Sequence, residues 1–471
     1  MLGLTNGKTP APHAPDYVLL ATVGTLVALG LVMVYSASFV EGLMLHDSQF
    51  YYLLRQLTGA TIGVVCLLVI QRLDYHIWRR FSVHLMAVAL VLLVLVLVLP
   101  ETMTMVNGSR SWIRFGGGLF SVQPSEIVKL AIIIYFADWL SRRGSKLSNV
   151  TYGLIPFAVM LGLVCGLIML EPDLGTTFIV LVIASAIYFA AGANLLHLLG
   201  AGALGVGACW ALLNVFQYQN GRIAAFVDPW KYYNSYGYQP VHALYALGSG
   251  GPLGEGLGQA RQKFQWLPQA HTDTIFAIVG EELGLIGTIL VLAAFGFIAY
   301  RGYRIACRLN DPFASLVAVG ITSWLVWQAF TNIAVTTSMV PFTGITLPFL
   351  SYGSSSLIMC LVATGILINL SRYTVTQQQE EVTHHGFWFQ RSPALAFVQR
   401  TRKAVAPLSL WWRHGRSRLS GIDRRRSPAG SRHRPAVTAR SGARQRPVAT
   451  AQRAELCRSR TNRRQRPAAR S

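Results

Sequence analysis

Long apolar runs separated by short polar segments recur along most of the chain, from residue 17 to residue 370. A transmembrane helix needs about 20 mostly apolar residues to cross a hydrocarbon core of about 30 Å. The run that ends at Pro100 is almost entirely Val and Leu. The pattern predicts about ten membrane-spanning helices, at 17–40, 51–70, 77–99, 124–141, 151–170, 174–192, 194–216, 274–300, 313–337 and 346–370.

Composition supports an all-α polytopic membrane protein. Hydrophobic residues make up 52% of the 471 residues and charged residues only 13%, whereas soluble domains carry about 25% charged residues. The first apolar run is too long for a signal peptide and no clear cleavage site follows it, so we expect it to stay in the membrane. The six cysteines show neither CxxC pairs nor a metal-ligand spacing.

The distribution of Lys and Arg predicts the orientation, because cytoplasmic loops are enriched in these residues. Three loops carry three Lys or Arg each, and the alternate loops carry none. The basic loops are 71–80, 142–150 and 301–312, and the loops without Lys or Arg are 41–50, 171–173 and 338–345. Both chain ends are therefore predicted to be cytoplasmic, and two long loops, 100–123 and 217–273, are predicted to lie outside.

Charge divides the chain into three predicted parts: a cytoplasmic N-terminus (1–16), a membrane domain (17–372) and an Arg-rich cytoplasmic tail (373–471). The tail holds 22 Lys and Arg and four acids, and so supplies most of the net charge of +22. Its Arg, Ser, Ala and Pro content cannot form a core, which predicts disorder. Attraction to anionic membrane lipids or no specific role is favoured over nucleic-acid binding.

The first outer loop carries two arginines around a tryptophan, Arg110, Trp112 and Arg114. Trp112 fits an interfacial aromatic belt, and two nearby arginines also suit a phosphate clamp. The following segment places Glu126 and Lys129 three residues apart on one helical face. This pair either neutralises itself or offers the lysine charge to a diphosphate, and the spacing alone does not separate the two.

Acidic residues mark the ends of two other outer segments. Glu171 and Asp173 share a tight turn, where Asp173 is favoured as a helix cap over a ligand for a sugar or a cation. Asp273 precedes an apolar span, where a cap is again the commoner role and a general base is the alternative. Deeper in that span, at least one of Glu281 and Glu282 is expected to face the protein interior.

A glycine cluster, residues 248–258, lies upstream of Asp273 in the largest outer loop. Glycine permits tight turns close to a ligand. The cluster lacks the GxxxxGK[ST] pattern of a nucleotide-binding loop.

Several motifs, in this order, make the chain resemble the SEDS family (shape, elongation, division, sporulation), and its division branch more than its elongation branch. They are GSRSWIRF at 108–115, QPSEIVKL at 123–130, EPDLGT at 171–176, ALGSGGPLGEGLG at 246–258, LPQAHTDTIFAIVGEELG at 267–284 and PFTGITLPFLSYGSSS at 341–356. The resemblance covers residues 16–372. Three positions depart from the family pattern: Thr274 replaces an aromatic residue, and Ser338 and Ser354 stand where glycine is usual.

The resemblance implies a peptidoglycan glycosyltransferase that polymerises lipid II into glycan strands and releases undecaprenyl diphosphate. It implies Asp273 as the catalytic residue, which outweighs the cap expected from position alone. Further substrate-binding candidates are Arg110, Trp112, Glu126, Lys129, Glu171, Asp173, His271 and Ser351. No metal site or cofactor is predicted, although a divalent cation is compatible with the chemistry.

The resemblance also implies a setting and leaves alternatives open. The expected location is the bacterial cytoplasmic membrane at the division septum, with the active face outside. A class B penicillin-binding transpeptidase and other division proteins are the implied partners. A lipid II flippase, an elongation-type polymerase or an inactive scaffold are the alternatives. No internal repeat is visible and the polar motifs cluster at the outer end, which favours catalysis over transport.

Overall fold

The computed structural model describes residues 12–375 with internal gaps at 107–108, 116–119, 145–146, 148, 194–196, 198–199, 201, 203–204, 206 and 208–219. The predicted span 194–216 lies mostly outside the described residues, and nearly all of the basic tail lies outside them. The ten-span count, the orientation of the termini and the disorder of the tail therefore remain predictions. For Arg110 only the backbone is described.

Within the part of the chain that the structure describes, helices occupy nine of the ten predicted spans. Most of the apolar runs are helical, because a helix satisfies its own backbone hydrogen bonds in hydrocarbon. The helices are α1 (Tyr17–His46), α2 (Tyr51–Ile70), α3 (His76–Arg80), α4 (Ser82–Val98), α5 (Glu101–Thr104), α6 (Pro124–Ser141), α7 (Ile155–Leu170), α8 (Leu174–Ala190), α9 (Asn220–Val227), α10 (Tyr238–Ser249), α11 (Ile275–Arg308), α12 (Pro312–Thr336) and α13 (Ser354–Ser371). A π-helical turn, Val150–Leu154, leads directly into α7.

Central and peripheral helices differ in how much of their apolar surface is buried. Six described helices, counting the π-helical turn with α7, are long and apolar enough to cross a membrane, and α4 and α8 are shorter apolar helices. The most apolar stretch of α12 is 89% buried, whereas that of α7 is 22% buried. Central α12 packs against α6, α8 and α11. The exposed apolar rows of the outer helices suit contact with lipid, where apolar exposure carries no hydration penalty.

The first predicted outer loop contains two small antiparallel hairpins among its described residues. Strand β1 (Met105–Val106) pairs with β2 (Ser109–Arg110), and β3 (Ile113–Phe115) pairs with β4 (Phe120–Val122). The second hairpin is anchored at the start of α13, because the Ser355 hydroxyl donates to the Ser121 carbonyl at 2.8 Å.

The glycine cluster packs against α11. The backbone N–H groups of Glu255 and Gly256 donate to the carbonyls of Glu281 and Glu282 at 2.9 and 3.1 Å. A Cβ at Gly254 would collide with the Glu282 backbone. At Gly250 and Gly254 the close neighbour is therefore the protein's own backbone, and not only a ligand as the sequence suggested. Gly284, at φ 65° and ψ −164°, interrupts the helical conformation of α11 at this contact.

Both acids of α11 are buried, as expected for at least one of them. Glu281 accepts from the backbone N–H of Arg261 at 2.7 Å. Glu282 lies 2.9 Å from the Lys263 ammonium, and both side chains are fully buried. The Ser36 hydroxyl of α1 also donates to Glu282, at 2.6 Å. These contacts hold the largest predicted outer loop against α1 and α11.

The last predicted span was placed too early. The prediction began at residue 346, but α13 begins at Ser354, and residues 346–353 form a buried non-helical segment. Pro348 has no N–H to donate, and Phe349 adopts a φ of 68°, so both residues oppose an α-helix here. Leu347 and Leu350 are buried in the core, which explains the apolar sequence.

Candidate active site

Asp273 lies at the predicted outer end of α11, just before the helix begins, and is partly exposed. The cap position belongs to Thr274, and no side chain makes a capping hydrogen bond to α11. Asp273 accepts instead from the neighbouring Thr272 hydroxyl, through Oδ1 at 2.9 Å. The structure therefore does not use Asp273 as a helix cap, which removes the main alternative to a chemical role.

Asn332 of α12 holds the backbone around Asp273. Its side-chain amide donates to the carbonyls of Asp273 and Ile345, each at 2.7 Å. Gly344, at φ 69°, brings the same segment beside the carboxylate, and a Cβ there would lie 3.7 Å from Asp273 Oδ2. Sequence analysis missed Asn332, whose only signal was an amide within an apolar span.

Burial raises the pKa of Asp273 from its ordinary value near 3.8 to about 6. The Thr272 hydrogen bond and the electrostatic interactions with His271 and Arg222 act in the opposite direction and lower the pKa. A general base is most effective when its pKa lies close to the working pH. The environment of Asp273 therefore suits proton abstraction near neutral pH.

A second carboxylate, Glu41 near the end of α1, joins the site through His271. Nδ1 of His271 lies 3.2 Å from Glu41 Oε2, and the Tyr52 hydroxyl donates to Glu41 Oε1 at 3.3 Å. The His271 backbone carbonyl accepts from the N–H of Tyr352 at 2.8 Å. Sequence analysis named His271 but missed Glu41 and Tyr52, because only folding brings the ends of α1 and α2 to this loop.

Glu126 and Lys129 lie inside the bundle and are paired with each other. The Lys129 ammonium is 2.8 Å from Glu126 Oε2, and both side chains are at most 5% exposed. The ammonium also donates to Gln328 Oε1 at 2.8 Å and lies 5.1 Å from the ring centroid of Trp324. Because protein groups surround the ammonium, the geometry favours the self-neutralising interpretation over contact with a diphosphate.

Asp173 caps α8, as favoured from the sequence. Its Oδ1 accepts from the Thr176 N–H at 2.9 Å, and its Oδ2 accepts from the Thr176 hydroxyl at 2.7 Å. Glu171 in the same turn is buried, and this burial, with the neighbouring charge of Asp173, raises the pKa of Glu171 to about 9. Gly175 packs against Ile345, so this turn and Asp273 share the segment around residue 345.

The remaining predicted site residues are Trp112, Arg110 and Ser351. Trp112 is partly buried between β2 and β3, and the side chain of Arg110 lies outside what the structure describes. The Ser351 hydroxyl accepts from the Leu347 N–H at 2.8 Å, which stabilises the turn before α13. Among the described residues, no group of three or more His, Cys, Asp or Glu side chains is placed to hold a metal ion.

Two departures from the SEDS pattern have structural consequences. Ser338 adopts a φ of 55°, the left-handed region that favours glycine. The Ser354 hydroxyl donates to the Arg55 carbonyl at 3.0 Å, and the residue facing it on α2 is Gly59. The side chain gained at Ser354 thus meets a glycine on α2.

Fold and site together define a polytopic helical membrane protein. At one end of its bundle lies a carboxylate with a raised pKa, that of Asp273. The family model described as "Cell cycle protein", which covers FtsW, RodA and SpoVE, matches residues 16–376. The chain belongs to this family.

Curated relatives and solved structures support the same assignment. The chain is 44% identical to Stage V sporulation protein E of Bacillus subtilis, over 79% of this chain and 100% of that protein. It is 40% identical to the probable peptidoglycan glycosyltransferase FtsW of Trichlorobacter lovleyi, over 76% and 93%.

Two solved structures resemble the chain at 28% identity. One is a chain from a peptidoglycan synthase complex studied for the structural coordination of polymerization and crosslinking, with a TM-score of 0.62 over 76% of this chain and 98% of that one. The other is the rod shape determining protein RodA of Thermus thermophilus, with a TM-score of 0.57 over 77% and 99%.

Proposed function

We propose that this protein is a peptidoglycan glycosyltransferase that polymerises lipid II into glycan strands at the outer face of the bacterial cytoplasmic membrane. The observation that carries the proposal is Asp273: a partly exposed carboxylate, free of any capping role, whose pKa is raised to about 6. Membership in the family and the names of the relatives supply the reaction class, and the site supplies a base for it.

In this mechanism Asp273 accepts the proton of the acceptor sugar hydroxyl. The acceptor oxygen forms a bond to the anomeric carbon of the donor while the bond from that carbon to the diphosphate oxygen breaks. Undecaprenyl diphosphate leaves with the electron pair of that bond. The Asn332 amide donates to the backbone carbonyl of Asp273, which ties the backbone that carries the carboxylate to α12.

The leaving diphosphate needs nearby positive charge, and Arg110 is our candidate. Lys129 is a weaker one, since its ammonium already contacts Glu126 and Gln328. We expect Arg110→Ala to weaken lipid II binding, and Arg110→Lys to restore it only in part because lysine lacks the bidentate fork. Titration of labelled lipid II against the purified variants measures this, and an unchanged affinity for Arg110→Ala would remove Arg110 from the site.

Biological role and partners follow from the resemblance. We propose a role in cell division, at the septum, with a class B penicillin-binding transpeptidase as crosslinking partner alongside other division proteins. The similarity to a chain of a peptidoglycan synthase complex supports a partner of this kind. Co-purification of the full chain with such a transpeptidase, and localisation of a tagged chain to septa rather than to the side wall, test these two points.

Strand synthesis tests the activity itself. Purified full-length protein is incubated with labelled lipid II in detergent, where no sealed compartment exists and transport cannot be scored. Formation of glycan polymers supports the polymerase, and the polymers should disappear in Asp273→Asn. Absence of polymer from well-folded protein, with and without the transpeptidase, together with lipid II translocation across sealed vesicles, would replace the polymerase by a flippase.

A further inference from the structure

A cleft of 490 Å³ opens at the predicted inner end of the bundle, between α4, α6 and the π-helical turn before α7. Its lining combines one carboxylate, two arginines, three aromatic side chains and a valine: Val83, Tyr135, Asp138, Trp139, Arg142, Arg143 and Tyr152. The cleft lies at the C-terminal end of α6, a helix of 18 residues from Pro124 to Ser141 that is about 27 Å long. The glycosyltransferase chemistry does not use it.

Asp138 organises the positive charge of the cleft. Its carboxylate accepts from Arg79 at 3.2 Å, from the Ser82 hydroxyl at 2.9 Å and from Arg142 at 2.8 Å through both oxygens. The lining thus holds one carboxylate and two arginines, and Arg79 contacts the same carboxylate, so the cleft keeps an excess of positive charge. The contact with Asp138 uses only part of the N–H donors of Arg142, and that side chain is 61% exposed.

Arg143 is held in the cleft by aromatic and backbone contacts. Its guanidinium lies 4.1 Å from the ring centroid of Trp139 and donates to the Tyr152 carbonyl. Stacking on an aromatic face fixes the guanidinium plane. The cleft therefore presents two oriented guanidinium groups instead of two freely moving surface charges.

The rim of the cleft continues into exposed apolar surface. Val83 on α4 is 61% exposed, and Ile155 and Val159 on α7 are 50% and 67% exposed. Tyr152 at the mouth is 62% exposed, and Trp and Tyr favour the depth of lipid headgroups. A ligand that occupies both the basic cleft and its apolar rim needs an anionic group with apolar chains attached to it.

We propose that this cleft binds the phosphodiester headgroup of an anionic phospholipid, such as phosphatidylglycerol, with its acyl chains along α4 and α7. Planar guanidinium groups match phosphate oxygens in a bidentate manner, and basic pockets between membrane helices recognise anionic headgroups. A soluble phosphate would leave the apolar rim unused. A zwitterionic phospholipid would place its own cation against Arg142 and Arg143.

Quenching of Trp139 fluorescence by brominated lipid reports on this site. Full-length protein and its Trp139→Phe variant are reconstituted in phosphatidylcholine nanodiscs that contain a small fraction of brominated phosphatidylglycerol or brominated phosphatidylcholine. The difference between the two proteins isolates Trp139 from the other tryptophans. We expect phosphatidylglycerol to be preferred roughly 10-fold, and this preference to weaken as salt is added.

The arginine variants decide the assignment. Arg143→Gln, which leaves all three donors to Asp138 in place, should remove most of the preference, and Arg143→Lys should keep part of it. Arg72→Gln changes an exposed arginine of the same predicted face outside the cleft and should have no effect. Equal quenching by the two lipids, or an Arg143→Gln result that matches Arg72→Gln, overturns the proposal. Displacement by inorganic phosphate would reduce the cleft to a general anion site and overturn the lipid assignment.

Discussion

Two amides on α12, Gln328 and Asn332, stand one turn apart and hold neighbouring residues of the segment before α13. Gln328 donates to the Thr346 carbonyl at 3.0 Å, and Asn332 donates to the Ile345 carbonyl at 2.7 Å. Their second partners differ. Gln328 accepts from the ammonium of Lys129, whereas Asn332 supports only the backbone of Asp273.

The ammonium of Lys129 and the carboxylate of Asp273 differ in how far neighbouring groups neutralise them. Lys129 has a carboxylate, an amide and an aromatic ring around its ammonium. Among the described residues, the Thr272 hydroxyl donates a hydrogen bond to the Asp273 carboxylate. A buried charge that is paired with an opposite charge has a structural role. A carboxylate that is desolvated and has few such partners has a raised pKa.

The largest expected effect comes from Asp273→Asn. Loss of a general base costs about 10²–10⁴ in rate, so glycan-strand formation should nearly cease. Thermal stability should be unchanged or higher, because the substitution removes a desolvated charge. The matched control is Asp173→Asn, which keeps a good capping side chain and should retain activity. Near-normal polymerisation by Asp273→Asn would leave the catalytic base unassigned.

Lys129→Met should act on stability. Removal of one partner leaves Glu126 buried and unpaired, which costs about 3–5 kcal/mol. The double variant Glu126→Leu with Lys129→Met should recover much of this loss, since a buried ion pair is often replaceable by apolar side chains. Thermal unfolding in detergent measures both. A stable Lys129→Met protein that has lost lipid II affinity would instead place Lys129 at the diphosphate.

The pH dependence of polymerisation tests whether Asp273 is the catalytic base. Asp273 must be deprotonated to accept a proton, so activity should rise with pH through about 6 and level off above. The folded chain holds this proton more tightly than the unfolded chain, so Asp273 makes a contribution to stability that falls as pH rises from about 4 to about 6. A rate profile with no inflection near pH 6 would argue against Asp273 as the base.

The smallest expected effect concerns the cap of α8. Asp173→Ala removes two hydrogen bonds to Thr176 and should cost about 0.5–2 kcal/mol of stability. Asp173→Asn should cost much less. Polymerisation per folded molecule should stay close to normal in both variants. A loss of substrate affinity in the stable Asp173→Asn protein would show that this carboxylate also binds a sugar or a cation.

The sequence predicted helices well because membrane insertion demands long apolar runs. Nine of ten predicted spans coincide with helices. The cap at Asp173 and the burial of at least one of Glu281 and Glu282 were also predicted from local pattern. The start of α13 was predicted too early. Residues 346–353 are apolar because they pack in the core, and they are not helical. Apolar composition alone does not separate these two uses.

The site was predicted in part. Asp273 and His271 were named from motifs, but their roles could not be separated from capping until the structure placed Thr274 at the cap position. Glu41 and Asn332 were missed, because their contacts join residues more than 50 positions apart in the chain. Nothing in the local sequence marks such a pair.

By itself, the sequence determined the membrane setting, the helical architecture and the family, since hydropathy and motif order are properties of the chain. Only the tertiary structure decided which charges are compensated. Lys129 and Glu126 neutralise each other beside Gln328, and Asp273 is left desolvated beside Gly344. Electrostatic free energy depends on distance and burial, and both are fixed only when helices far apart in the chain pack together.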